Sequence, residues 1–199
     1  MFGKLLSVPL LLLIACTYAG AATVQDHSHH SHYAGQEQRR IKSLSQDDID
    51  ELSRGGGWGL AKAAELNGMP GPIHLLEMKT EIGLSTQQIE EIEALYESMR
   101  QAAIPLGEKL IELETVLNDQ FADGTITDDS LARLLEEIGA TRSQLRYVHL
   151  SAHLKTPLMV TAEQIDEYNR LRGYFSDDPC ANIPAGHDPQ MWKMHNNCP

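Results

Sequence analysis

The sequence lacks the short motifs that identify the common enzyme classes. It contains no Ser-His-Asp or Cys-His arrangement at a recognisable spacing and no His-Glu-x-x-His motif. Gly55, Gly56, Gly57 and Gly59 do not form a phosphate-binding loop, because no strand pattern precedes them and no Lys-Ser or Lys-Thr pair follows. Glycines at this density around Trp58 instead suggest close backbone approach or a hinge. The sequence therefore predicts a protein that is not an enzyme.

Positive charge is also scarce. The chain has 16 Lys and Arg residues against 28 Asp and Glu residues, which gives a formal net charge of −12. Loss of an N-terminal leader that contains Lys4 makes the remainder one unit more negative. This charge argues against nucleic acid and anionic membrane surfaces as partners and modestly favours cations.

Long apolar runs are absent, and the longest, Leu5 to Ala15, is too short to cross a membrane. Because Lys4 precedes it, we interpret residues 1–21 as an export signal. Cleavage before Cys16, with lipidation of that cysteine, fits the pattern of bacterial lipoproteins. Ordinary cleavage near Ala21, after Ala-Gly-Ala, is the alternative. In both cases the expected location is the periplasm, with or without a lipid anchor.

Cysteine is limited to three residues, one of them in the leader. Cys180 and Cys198 are expected to form a disulfide, because exported proteins meet an oxidising compartment. The alternative is two free thiols. We assign residues 175–199 to a C-terminal tail that this disulfide closes.

A polar, histidine-rich segment follows the leader, and we assign residues 22–43 to a linker. Its histidines are His27, His29, His30 and His32. Short histidine-rich tracts bind divalent transition metals weakly when the backbone is disordered. A solvated tether is the alternative interpretation.

The rest of the pattern is helical. Capping boxes predict helix starts at Ser45, Ser85 and Thr161, and Thr127 offers another cap. The longest helix is expected from Thr86 to about Asp123, with a bend at Pro105. Apolar residues three and four apart form a seam along it and along the helix that returns from Thr127. The seam comprises Ile89, Ile92, Tyr96, Met99, Ala103, Leu106, Leu110, Leu113 and Leu117, then Leu131, Leu134, Ile138, Thr141, Leu145, Val148 and Ala152. We expect an all-α fold built on a long, bent, antiparallel helical hairpin.

Two of the cap sequences carry a family resemblance. Leu-Ser-Thr-Gln-Gln at 84–88 and Val-Thr-Ala-Glu-Gln at 160–164 surround the expected hairpin, and Tyr-Asn-Arg-Leu-Arg-Gly follows at 168–173. This arrangement resembles the LTxxQ-motif family of periplasmic proteins, the Spy/CpxP group, over roughly residues 45–174. The resemblance implies a helical domain at residues 44–174 with short flanking helices and a cradle-shaped homodimer. The group includes chaperones, envelope-stress adaptors and heavy-metal resistance or sensor proteins.

Two pairs of side chains are candidates for a metal site. His149 and His153 are four residues apart on the returning helix, so their rings lie on one face within reach of a common ion. His74 and Met78 have the same spacing on a short helix that we expect from Ile73 to Ile82, and Glu77 lies beside them. Heavy-metal sensors of the family use such pairs on two helices with a carboxylate, and imidazole, thioether and carboxylate together suit nickel, copper or zinc. The alternative is that His149 and His153 are ordinary packing residues that bond neighbouring carboxylates or carbonyls.

The tail contains further soft ligands. His187, Met191, Met194 and His195 lie inside the loop that Cys180 and Cys198 would close, and they could bind copper. We favour the interpretation that methionine and tryptophan side chains here dock the tail on the helices.

Two functions follow from these observations. The first is a metal-binding or metal-responsive stress protein of the envelope. No cofactor is required for this function, and the expected ligand is a transition metal: nickel, copper or zinc. The alternative is an ATP-independent periplasmic holdase that binds unfolding clients. A homodimer is expected, because long helices bury little surface alone, and a membrane sensor protein is a further possible partner.

Overall fold

The structure is a computed structural model, and it describes residues 31, 33–174, 180, 183 and 187–198. The chain divides into two compact units, Met1–Ala34 and Gly35–Pro199. The export signal, Cys16 and the four leader histidines (His27, His29, His30 and His32) lie outside the described residues. Among the residues that are described, none belongs to a helix both long enough and apolar enough to cross a membrane.

Helices account for all the regular structure in the described part of the chain. A 3-10 helix at Gln36–Gln38 precedes the first α-helix, and another at Thr156–Leu158 follows the fifth. The α-helices are α1 (Gln46–Ser53), α2 (Lys62–Glu65), α3 (Pro72–Glu77), α4 (Thr86–Ala122), α5 (Asp128–Lys155), α6 (Ala162–Leu171) and α7 (Pro189–His195). The expected all-α class is confirmed for these residues.

Helices α4 and α5 pack against each other and form the centre of the second unit. Every residue of the predicted seam on both helices is buried or half-buried. Leu110, Leu134 and Leu145 are buried in one apolar core, which also includes Leu52 of α1. A second, smaller core of Leu75, Ile82, Ile92 and Tyr168 joins α3, the start of α4 and α6. The three-and-four periodicity of the sequence therefore identifies the packed faces correctly.

Each long element begins at a capping box. Ser45, Ser85, Thr127 and Thr161 accept a hydrogen bond from the amide three residues later, and the side chain at that position bonds back to the cap amide. Two amides that a helix start leaves without partners are satisfied in this way at each site. The cap sequences therefore fix where α1, α4, α5 and α6 begin.

The cap sequences at 84–88 and 160–164 meet through their glutamines. Gln88 Nε2 donates to Gln164 Oε1 at 2.8 Å, and Gln164 Nε2 donates back to Gln88 Oε1 at 3.1 Å. Each amide also donates to a nearby carbonyl, of Met159 for Gln88 and of Gly83 for Gln164. Each oxygen in turn accepts from its own cap amide. Both side-chain amides are thus satisfied, and the pair joins the start of α4 to the start of α6.

Close approach of α1 to α4 depends on a glycine. A Cβ built on Gly107 would lie 2.2 Å from the carbonyl oxygen of Leu52, well inside van der Waals contact. Only glycine allows the two backbones to pack at this distance. The contact fixes α1, and the glycine-rich segment that follows it, against the middle of α4.

The structure differs from the sequence-based expectations at two places. The short helix expected over 73–82 ends at Glu77, and the chain continues in turns to Gly83, whose φ is +71°. The linker was expected to extend to residue 43, but Ile41 is fully buried in the main core. Burial of that one isoleucine joins residues 35–43 to the helical unit.

Candidate functional site

A cavity of about 590 Å³ lies where α1, α2, α3, α4 and α5 approach one another. It is large enough for a small ligand or a hydrated ion. The cavity is lined by His74, Glu77, His149 and His153. These are four of the five side chains that the sequence predicts as metal ligands on the helices, and Met78 is the fifth. The wall also contains residues that the sequence analysis did not select, among them Glu51, Trp58, Glu65, Arg172 and Tyr174.

His153 is held in one orientation and one tautomer. Its Nδ1 lies 2.9 Å from the carbonyl oxygen of Met69, and because a carbonyl only accepts, Nδ1 must carry the proton. Nε2 is therefore the nitrogen of this ring that can bind a ligand. A Cβ on Gly71 would lie 2.8 Å from this Nε2, so the glycine leaves open the space beside it. This is the arrangement by which proteins orient metal-binding imidazoles through the second ring nitrogen.

His149 lies one turn earlier and is almost completely buried, with 2% of its surface exposed. Its Nε2 has no hydrogen-bond partner in the described structure. Burial, and next the charge that His153 can carry, lowers the pKa of His149, while the negative charge of Glu51 opposes this shift. The ring is consequently neutral at pH 7. An unpaired buried polar group costs about 1–3 kcal/mol, which a bound ligand would recover.

His74 is more strongly engaged by the protein itself. Its Nδ1 lies 2.9 Å from Glu77 Oε2, and its Nε2 lies 3.6 Å from Glu65 Oε1. Glu65 Oε1 also accepts from Tyr168 at 2.6 Å and from Arg172 at 3.2 Å. Both nitrogens of His74 thus face carboxylates, and a metal would have to displace one of them.

The carboxylate of Glu65 organises this side of the cavity. Besides the contacts above, it accepts a hydrogen bond from Tyr174 at 3.2 Å. Burial and the hydrogen bond to Glu65 raise the pKa of Tyr168 far above its usual value, so its hydroxyl keeps its proton. Residues from α2, α6 and the turn after α6 are therefore joined at one half-buried carboxylate.

Trp58 positions the glycine-rich segment at the rim. It is one of two described non-glycine residues with positive φ, at 43°. Its amide donates to Glu51 Oε1 at 2.9 Å, and its indole donates to Asp48 Oδ1 at 2.8 Å. The guanidinium of Arg142 lies 4.6 Å from its ring centroid. Backbone strain of this kind persists only where surrounding contacts enforce it.

The sequence carried partial signals for these additional residues. Glycines around Trp58 indicated close backbone approach, and residues 168–173 belonged to the family-like segment. Nothing in the spacing of Glu51 or Glu65 distinguishes them from solvent-exposed helix carboxylates. Their place in the cavity depends on how α1 and α2 pack, which local sequence does not specify.

The remaining predicted ligands lie elsewhere. Met78 ends α3 and packs against the second apolar core rather than lining the cavity. The tail contains the disulfide between Cys180 and Cys198, and there His187 packs edge-on against Trp192 with ring centroids 4.8 Å apart. Met191 and Met194 are exposed on α7.

The cavity does not present a complete metal centre in the described structure. No three side chains of His, Cys, Asp or Glu among residues 33–174 and the other described positions lie close enough together to hold one ion. The two Nε2 atoms of His149 and His153 are the groups best suited to bind one. A third protein ligand would need a side-chain rotation, and a small exogenous ligand or water could complete the set.

Comparison of the chain with protein-family models, with curated proteins and with solved structures gives no match.

Proposed function

We propose that this protein binds a transition metal, nickel, copper or zinc, in the cavity between α1, α3 and α5, and that it serves the bacterial envelope as a metal-binding or metal-responsive stress protein. The observation that carries the proposal is the pair of imidazoles on α5. One Nε2 is buried without a partner, and the other is oriented by a hydrogen bond from Nδ1 to a carbonyl.

The protonation states favour a cation. Metals bind neutral imidazole, and ligands that must first lose a proton weaken binding at low pH. The lowered pKa of His149 puts that ring in the binding form at neutral pH, and the hydrogen bond from His153 Nδ1 to the Met69 carbonyl leaves Nε2 as the nitrogen of the second ring that can bind a metal. Metal binding at neutral pH therefore releases no proton from His149.

Glu51 is the carboxylate best placed to assist. It lines the same cavity, and its charge acts on His149. The Trp58 amide holds its Oε1, which leaves the other oxygen for a metal or a metal-bound water. Imidazole with carboxylate suits nickel, copper and zinc, so this set does not select one of the three.

The resemblance to the Spy/CpxP group supports the cellular setting. Its two motifs begin α4 and α6 and meet through the Gln88–Gln164 pair. We propose accordingly that α4 and α5 form the antiparallel hairpin of a cradle-shaped homodimer in the periplasm, exported through residues 1–21 and anchored by lipid if cleavage occurs before Cys16. In this setting the protein acts as a binding protein and not as an enzyme.

Calorimetric titration with nickel, copper and zinc tests the proposal. The sample is the chain purified after export from a bacterial host, with the four leader histidines replaced by Ser so that they cannot bind. We expect saturable binding with micromolar or tighter affinity and a fixed stoichiometry. His149→Ala and His153→Ala together should weaken it at least tenfold, and an unchanged affinity in this double variant would overturn the proposal.

A glycine pair gives a sharper control. Gly71→Ala places a methyl group against His153 Nε2 without removing either histidine, so we expect weaker metal binding. Gly57→Ala changes another glycine of the cavity wall, where a Cβ meets nothing within 4 Å, and should leave affinity unchanged. Equal effects of the two variants would mean that the site lies away from His153.

Holdase activity is the second candidate, and one surface favours it. Tyr147, Leu154 and Leu158 are 72%, 63% and 86% exposed. Their spacing of seven and four residues forms an apolar stripe along the outer side of α5 and the 3-10 helix after it. Such a stripe suits an unfolded client or a second copy of this chain.

Aggregation assays in chelator separate the two functions. If the protein is a holdase, it suppresses client aggregation without metal, and Leu154→Glu with Leu158→Glu removes that activity. Ala102→Glu, at an exposed position of α4, is the matched control. Metal binding by the double glutamate variant should remain intact, since neither residue lines the cavity.

A further inference from the structure

The C-terminal helix α7 presents two thioethers and an imidazole on one exposed face. Met194 and His195 follow Met191 by three and four residues, which places each of them beside Met191 on the helix. Met191 is 47% exposed and Met194 62% exposed, and His195 is exposed as well. Trp192 is half-buried and packs edge-on against His187. The methionines therefore do not dock the tail by burial, contrary to the interpretation that the sequence favoured.

We propose that this face is a binding site for a soft monovalent cation of the Cu(I) type, separate from the cavity. Thioether sulfur is a soft ligand that selects Cu(I), whereas carboxylate and water suit hard ions. A thioether has no charge and no proton to lose, so it adds little affinity for zinc or nickel. Two methionines with one imidazole form a set of three neutral donors on a single turn.

The side chains can reach a common ion. Neighbours three or four apart on a helix have Cβ atoms about 5–6 Å apart. Methionine is unbranched, with three rotatable bonds, so two of them can converge on one ion from this distance. Because all three side chains are exposed, binding requires no rearrangement of a packed core.

Several contacts hold α7 in place, which matters because an isolated helix of seven residues does not form in water. Pro189 is the first helical residue, and Asp188 accepts hydrogen bonds from the amides of Gln190 at 3.0 Å and Met191 at 2.9 Å. At the other end, the amide of Cys198 donates to the carbonyl of Lys193 at 2.8 Å. The Cys180–Cys198 disulfide closes the segment. The helix face is thereby fixed before any ion arrives, which lowers the entropic cost of binding.

This site is independent of the proposed function. The cavity offers imidazole and carboxylate from α1 and α5, and the tail offers thioether and imidazole from α7. Either site can exist without the other, and their variants do not overlap.

Silver(I) is the appropriate probe, because it resembles Cu(I) in softness and needs no reductant that would open the disulfide. The sample is the exported chain with the four leader histidines replaced by Ser, titrated with Ag(I) by calorimetry and by NMR of methionine methyl groups. We expect one equivalent to bind, with shifts of the Met191 and Met194 methyl resonances. Anaerobic competition against a coloured Cu(I) chelator then gives the copper affinity.

Variants on the same helix decide the assignment. Met191→Leu, Met194→Leu and His195→Gln together should weaken Ag(I) and Cu(I) binding at least tenfold while leaving nickel and zinc binding unchanged. Gln190→Ala and Lys193→Gln alter other positions of α7 and should have no effect. Affinity of the triple variant within twofold of the parent, or methyl shifts confined to methionines outside α7, would overturn the proposal.

The disulfide provides a second measurement. Cys180→Ser with Cys198→Ser leaves every proposed ligand in place but removes the closure of the segment. We expect several-fold weaker Ag(I) binding from this variant. Retention of full affinity would show that the face is not preorganised and would contradict that part of the proposal.

Discussion

Gly107 and Gly139 lie on the two long helices and differ in what surrounds them. Alanine normally stabilises a helix interior by about 0.5–1 kcal/mol relative to glycine. At Gly139 nothing lies within 4 Å of an added Cβ, so Gly139→Ala should stabilise the fold by that amount. At Gly107 the added Cβ meets the backbone oxygen of Leu52, which cannot move without shifting α1. Overpacking costs about 1–3 kcal/mol, so Gly107→Ala should destabilise the protein.

Urea unfolding followed by circular dichroism measures both changes, with each variant compared to the parent chain. The expected result is a rise in midpoint for Gly139→Ala and a fall for Gly107→Ala. Two changes of the same sign would show that helix propensity, and not the contact with Leu52, determines the outcome at Gly107.

His149 connects the cavity to pH. Burial lowers its folded-state pKa below the value of about 6.5 expected in the unfolded chain. As the pH falls, the unfolded chain therefore takes up this proton first. The contribution of His149 to the free energy of unfolding is complete above about pH 6.5 and is lost progressively as the pH falls from there through the folded-state pKa. Within this range His149 lowers the free energy of unfolding by at most about 1.4 kcal/mol for each pH unit.

The measurement is the free energy of unfolding at pH 7.5 and pH 5.5, for the parent and for His149→Leu, in the absence of metal. Leucine keeps the site filled but does not titrate, so the parent should lose more stability between the two pH values. Parallel losses in both proteins would assign the acid sensitivity to other groups.

At the scale of elements, the Gln88–Gln164 pair joins α4 to α6 through two side-chain hydrogen bonds. Removing one glutamine leaves the other amide without its partner, so each single alanine variant should cost about 1–2 kcal/mol. Because both changes break the same contact, the double variant should cost less than the two single costs combined, with a coupling energy of at least 0.5 kcal/mol in a double-mutant cycle. Gln87→Ala, on the neighbouring exposed position, should change stability by less than about 0.5 kcal/mol. A coupling energy near zero would contradict the bonding seen in the structure.

Element boundaries were the most predictable part of the molecule. Cap residues and apolar spacing identified the starts of α1, α4, α5 and α6 and the packed faces of α4 and α5, because these signals act within a few residues of chain. The end of α3 was missed, since the apolar pattern continues to Ile82 although the chain turns after Glu77. Burial of Ile41 was missed for a related reason, because one isoleucine in a polar segment carries no periodicity.

At the scale of the whole molecule, the site was predictable only as a set of candidate side chains. Spacing indicated that His149 and His153 share a face, and the structure places both on one cavity with His74 and Glu77. Spacing did not indicate that Glu65 faces the Nε2 atom of His74, that Met78 packs against an apolar core, or that Glu51 lines the same cavity. Those facts depend on contacts between segments far apart in sequence, such as the hydrogen bond between Glu65 and Tyr168, which are 103 positions apart.

The pairing of Gln88 with Gln164 also has a kinetic consequence. The two residues are 76 positions apart, and they can meet only after the intervening helices have come together. We therefore expect this contact to form after the rate-limiting step of folding. A contact of that kind does not speed folding, but it must be broken before the chain can unfold. The pair should therefore extend the lifetime of the folded state while leaving the folding rate nearly unchanged. That lifetime, and not the equilibrium stability alone, determines how long each molecule stays folded where unfolding is irreversible.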